Sequence, residues 1–441
     1  MTAPAIVCLA LLTTSQNSDP AGVEKLLFSG TREQSMRTLE TRYAADSNDV
    51  NAFALAVAQL LAAGERAGQS LVKAGLINRL VEIEEMTQSP SVEEPAAKGH
   101  ARDAAKQAAP AKEKPKHRLA TFIVEQPTRV NRDVIDGWIA AFEQDVTKAE
   151  ATLARIKDPA FRFPVHRTSL DSLAFDFNGN GRLDAQENSR DWGTTAPAHE
   201  AKGEKQDDTL VVVDLGDVYW LRGYCHFLLG LAGAIRALDG KELIDKTGHA
   251  LFPNLESPYA FLTPRGVRGT AAAQYGVFGD YAAWFWLAGR LTVYRPEKLR
   301  GALEHLRQCV ACTKEAFRLY RAETDDDHEW IPNPRQKKSA ELRQLTEEQF
   351  AAWEAVLEEC DLVLAGKKLV PHWRVADGRA INLRRIFTEP GKTFEPVLWF
   401  QGSAAVPYLE HGATTDPKFW ERTTKVFGEG YGIIGYAVWL N

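Results

Sequence analysis

The stretch DFNGNGRLDAQE, Asp176 to Glu187, sets side-chain oxygens at short, regular intervals. Asp176, Asn178 and Asn180 alternate with other residues, Gly181 follows, and Asp184 and Glu187 close the run. Calcium takes about six to eight hard oxygen ligands, and this spacing delivers them. Gly181 stands where the chain must reverse sharply and where a side chain would obstruct it. A second polar run, ETDDDHEW, gathers Glu323, Asp325, Asp326, Asp327, His328 and Glu329. Asp326, His328 and Glu329 are the residue types that serve as general acid, general base or metal ligand. The same run also reads as a capped, solvated turn held by Trp330 and the Pro332/Pro334 pair. Negative charge opposes the macrodipole at a helix C-terminus, so the preceding helix should end near Leu319 to Ala322.

The first run fits D-x-[DN]-x-[DN]-G-x5-E at each fixed position, and over these residues it resembles the calcium loop of the EF-hand family. The resemblance implies side-chain ligands from Asp176, Asn178 and Asn180, the backbone carbonyl of Arg182, a water-mediated contact from Asp184 and a bidentate Glu187. Leu183 is apolar and is expected to pack inward. The flanks depart from the family. HRTSLDSLAF is a short helix after Pro164, AQENSRDW is stopped by Gly193 and Pro197, and no second loop exists to pair with. The expectation is calcium as a structural staple and not a sensor. Three carboxylates imply the moderate affinity of an extracellular module.

Several elements must position these residues. From Gly22 to about Met86 the pattern is helical, split by AADSND, where Asp46 to Asp49 offer capping residues. A Leu-x-x-Arg-Tyr face, an acidic turn and an Ala-rich helix make this unit similar to one tetratricopeptide-type hairpin, with no second copy at a fixed period. The stretch LVVVDLGDVYWLRGYCHFLLGLAGAIRAL predicts one long helix over about 208–238, buried almost all round. Asp214, Asp217, Arg222 and His226 within it exclude a membrane span. Amphipathic spacing predicts further helices over about 131–156, 274–291, 296–321 and 346–365. LATFIVEQ and Phe394 to Phe400 read as short strands. The aromatic-dense last seventy or so residues are expected to pack into the core. Cys309 and Cys312 form a C-x-x-C inside a helical pattern, either a redox pair or two small residues on a packed face.

With 441 residues, 44% of them hydrophobic and 25% charged, the composition is that of a soluble globular protein. A net charge of −6 argues against a general nucleic-acid binder. Residues 1–18 carry a short apolar run, Ala3 to Leu12, and resemble a secretory signal peptide, although no Lys or Arg precedes the run. The run is too short to cross a bilayer. Export to the periplasm or beyond is the expectation, with a cytoplasmic location as the alternative. Residues 87–118 are rich in Ala, Pro and Lys and read as a linker with a basic second half. The sequence thus implies a mainly α protein with few short strands: a signal segment at 1–18, a hairpin at 19–86, a linker at 87–118 and a large helical domain at 119–441 carrying the loop 176–187. No P-loop, dinucleotide fingerprint or H-E-x-x-H appears. The leading function is a calcium-stabilised binding or scaffold module of the cell envelope, its partner a protein or an envelope polymer. The rival is a hydrolase using Asp326, His328 and Glu329 in a helical cleft. A binder should show an open groove lined by aromatics. An enzyme should bring one of those three into a pocket beside a titratable group from a distant segment.

Overall fold

Helix caps and β-branched runs set most of the element boundaries. The computed structural model describes residues 19–87, 126–171, 173–184, 210–262, 271–326, 328–336 and 345–428, with Phe122, Val124, Glu187, Gly435 and Leu440 as single positions. The leader at 1–18 and the linker beyond Thr87 lie outside the described residues, as does most of LATFIVEQ. The fold is mainly α, with a few short strands.

Pro20 opens α1 (Pro20–Phe28) at a position where its missing N–H costs nothing. Thr31 and Gln34 form a capping box on α2 (Arg32–Ala45). Asn48 caps α3 (Asp49–Lys73) by accepting the N–H of Asn51 at 2.9 Å, within the break expected at 46–49. Helix α4 (Leu76–Thr87) follows. Asn131 caps α5 (Arg132–Leu153) in the same way. Val23, Leu27, Leu39 and Phe53 of the first helices share one core with Val146 and Leu153 of α5 and with Val218 and Cys225 further on.

The stretch expected as one long helix is two elements. Leu210–Asp214 is strand β2, antiparallel to β1 (Arg162–His166), with Arg162 opposite Asp214. The short helix α6 (Arg167–Asp171) follows β1. Three consecutive valines, stiff at χ1, favour the strand once a partner is present. Asp214 then caps α7 (Leu215–Ala237) in a capping box with Asp217. Nor is α7 buried all round: Phe227, Leu231 and Ile235, one stripe at four-residue spacing, are exposed.

A three-stranded sheet joins β3 (Leu238–Asp239), β4 (Leu291–Val293) and a later strand. Between them lie α8 (Lys241–Thr247) and α9 (Ala271–Ala288). Pro296 opens α10 (Pro296–Ala322), which ends where the acidic run begins, as expected. Helix α10 packs on α7, and polar side chains lace the contact with α5. Arg236 pairs with Asp136 at 3.0 Å, and Lys298 with Glu143 at 3.0 Å. Hydrogen bonding to His226 and Arg222 holds Glu150 down to about 2. Among the described residues, no helix is long and apolar enough to cross a membrane.

Thr346 caps α11 (Glu347–Leu364). Strand β5 (Ala380–Ile381), α12 (Leu383–Thr388), β6 (Thr393–Phe394), α13 (Pro396–Gln401), β7 (Leu409–Glu410) and α14 (Pro417–Phe427) complete the described chain. The strand expected over 394–400 stops at Phe394, because Pro396 starts a helix instead. Tyr408 and Phe427 are buried, as expected of the aromatic C-terminus, whereas Phe400 is exposed. A second core forms around Phe317, Tyr320, Ile331, Phe350, Trp353 and Leu440. Cys309 and Cys312 are buried and unbridged on α10, and burial pushes the Cys309 thiol up to about 12. Burial of both thiols fits two small residues on a packed helix face.

Candidate functional site

The loop Asp176–Glu187 is organised by its own side-chain oxygens. Asp176, buried, accepts the N–H of Asn180 at 3.0 Å and of Gly181 at 2.8 Å, one on each oxygen. Asn178 Oδ1 accepts the Asn180 N–H, and Asn180 Oδ1 accepts that of Arg182. Glu187, fully buried, closes the ring: Oε1 accepts the N–H of Asn178 at 2.9 Å and Oε2 that of Asp184 at 3.0 Å. Asp184 Oδ2 receives the amide groups of both asparagines. Gly181 has φ +81°, the left-handed conformation the turn requires.

Helix α3 supports this loop. Glu65 Oε2 accepts the Asp176 N–H at 2.8 Å, and the same oxygen receives the Arg32 N–H at 3.5 Å. Gln69 donates to the Asp176 carbonyl at 2.7 Å. The edge of the Phe177 ring abuts α3 at Gly68, where a Cβ would stand 2.1 Å from a ring carbon. Burial pushes the Glu187 carboxyl up, and the nearby charges of Asp176 and Asp184 add to the shift. Leu183, expected to pack inward, is exposed. The helix entering the loop is the five-residue α6. The segment after it, Glu187 apart, lies outside the described residues.

The second cluster forms where the turn after α10 meets the β2–α7 junction. A parallel bridge sets Glu329 against Val212, whose N–H donates to the His328 carbonyl at 3.0 Å. Glu329 thereby joins Asp214 and Glu323, with carboxylate oxygens within 4.8 Å of one another. Asp217 lies one helical turn further on. Its Oδ1 accepts the buried Tyr320 hydroxyl at 2.8 Å, and its Oδ2 the Asp214 N–H at 3.1 Å. Arg162, across the strand pair from Asp214, pairs with Asp325 at 3.4 Å. Burial first, and then the Asp214 charge, push the Asp217 carboxyl well above the usual range. The same causes push Glu323 up to about 10. A carboxyl at about 10 is protonated at neutral pH, as Glu323 is here.

Of the residues singled out in the acidic run, Glu323 and Glu329 enter this cluster. Asp326 and His328 sit at the surface, with His328 at φ +64°. Asp327 lies outside the described residues. The sequence marks Asp214 and Asp217 only as charges against a membrane span, and it does not mark Tyr320 at all. The Asp-x-x-Asp spacing at a strand-to-helix junction was their one local signal, and it is a capping signal. Beside Asp217 and Trp330 lies an apolar cavity of about 130 Å³, walled by Trp220, Phe53 and Val211.

Among the described residues, exposed aromatic side chains include groups on α9 and near the C-terminus. Tyr275, Phe278, Phe285 and Trp286 project from α9, and Trp373 packs against Phe400 near the C-terminus, both exposed. Apolar patches of this kind mark interaction surfaces more often than bare solvent contact. Set beside protein families, curated proteins and solved structures, the chain matches none of them.

Proposed function

We propose that Asp176–Glu187 binds calcium in a structural role. The protein is read as an exported binding or scaffold module of the cell envelope, engaging a protein or an envelope polymer. One observation carries the calcium reading: Asp176 and Glu187, at opposite ends of the loop, are both buried and turned over the same interior. Asn178, Asn180 and Asp184 add oxygens there. Like charges gathered in a buried loop need a cation, and hard oxygens favour calcium. Calcium would fasten the chain leaving α6 onto α3 through Glu65, Gln69 and Phe177. The exposed aromatic faces support the binding role, and the short α6 favours a staple over a switch. Calorimetric titration should give a dissociation constant of about 0.1–1 mM, with magnesium far weaker. No heat at about 10 mM calcium would remove the reading.

A second reading, a hydrolase, is favoured by Glu329, which meets Asp214 from a distant segment near a cavity. There, protonated Glu323 beside Asp214 would pair a proton donor with a carboxylate. Glu323→Gln separates the readings. A carboxyl raised from 4.5 to about 10 in the fold stabilises fully below the unfolded value, and that stability is lost as pH rises through the folded value. The amide keeps the hydrogen bond from Gln336 and never ionises. If the cluster is structural, the variant's Tm gain should grow by a few degrees between about pH 5 and about pH 8. A loss of Tm at the upper pH, together with a metal response that the variant abolishes, would favour the second reading.

A further inference from the structure

Between α4, α8 and α9 lies a cavity of about 290 Å³, the scale of a small-molecule site. Its walls are largely apolar, from Leu251, Tyr281, Trp284 and Phe285. Two side chains of opposite charge also line it, Arg79 of α4 and Asp280 of α9. They are not paired with each other. Arg79 is fixed by Nε to the Ala250 carbonyl at 2.9 Å and by Nη1 to Glu82 at 2.9 Å. Asp280 Oδ1 is held by His249 Nε2 at 3.2 Å.

His249 is 3% exposed, and its Nδ1 is buried with no hydrogen-bond partner. With no partner at Nδ1, the ring turns Nε2 to Asp280. Asp280 presents its carboxylate at the cavity wall. Among the described residues, Arg79 Nη2 and Asp280 Oδ2 make no hydrogen bond. The cavity therefore offers a guanidinium edge, a carboxylate oxygen and an aromatic wall. A ligand with one charge would leave one of the two polar groups unanswered. A purely apolar ligand would leave both.

We propose that this cavity binds a free α-amino acid with an aromatic or branched apolar side chain, its carboxylate on Arg79 and its ammonium on Asp280. Guanidinium-to-carboxylate and ammonium-to-carboxylate contacts are charge-assisted and set orientation. The side chain stacks among Tyr281, Trp284 and Phe285. This site is separate from the calcium loop and stands without it.

The test is calorimetric titration of the full chain with L-phenylalanine, L-leucine, N-acetyl-L-phenylalanine and L-phenylalaninamide. The two free amino acids should bind, and each capped form should bind at least about tenfold more weakly. Asp280→Asn, which retains an oxygen for His249, should abolish the preference for phenylalanine over its N-acetyl form. Arg79→Lys should narrow the preference over the amide. Failure of both free amino acids to bind at about 10 mM overturns the proposal, and so does capped ligand binding as tightly as free. The wild-type ligand series decides the matter even if a variant fails to fold.

Discussion

Glu187→Gln is expected to weaken calcium binding at least about tenfold and to erase the rise in Tm that calcium gives the unmodified protein. Both carboxylate oxygens of Glu187 already accept backbone N–H groups, from Asn178 and Asp184. The amide replaces one acceptor with a donor, which then faces another donor in a buried site. The bidentate ligand is lost, and the metal-free loop is destabilised by about 1–3 kcal/mol. With calcium at about ten times its dissociation constant, the unmodified protein gains about 1.4 kcal/mol, a shift of ~1–3 °C in a chain of this size. Scanning calorimetry with and without calcium reads both effects. Asp326→Asn is the control and should respond to calcium as the unmodified protein does. A variant at Glu187 that responds equally would show that the loop does not hold the ion.

The largest loss of stability is expected from Asp217→Ala, at about 3–5 kcal/mol. It leaves the Tyr320 hydroxyl and the Asp214 N–H unpaired in the interior and removes half of the α7 capping box. Asp217→Asn should cost less, about 1–3 kcal/mol, because the amide oxygen can still accept from one of the two donors while the NH2 group meets the other. The direction of the shift agrees, since burial works against the charge that the amide removes. Urea unfolding of the two variants measures the contrast. Equal losses would mean that the negative charge itself holds the junction together, against the direction of the shift.

Local signals carried a good part of this structure. The Thr31, Asn48, Asn131 and Thr346 caps, and the α10 terminus ahead of the acidic run, are decided within a few residues of chain. The loop 176–187 was visible for the same reason, since its oxygens come from one short segment. What escaped was non-local. The valines of β2 pair with β1 across a gap of more than forty residues, and nothing within a helical window announces that partner. Glu329 was visible by type, but Asp214 and Asp217 reach it from about a hundred residues away, through the packing of α7 on α10. The α7 stripe Phe227–Leu231–Ile235 fails in the opposite direction. Apolar composition argued for burial, yet those side chains are exposed in the described structure.

One oxygen links the two ends of this architecture. Glu65 Oε2 receives the backbone N–H of Arg32, at the start of α2, and of Asp176, at the start of the loop. Burial pushes that carboxyl up, and the two amides that it accepts from pull it back down. When the loop opens, Glu65 loses its shorter bond, and the penalty falls on the first turn of α2. Loop and hairpin are therefore expected to open together. An ion held at residues 176–187 would be felt as slowed exchange of amide protons at the N-terminal helices, far away along the chain.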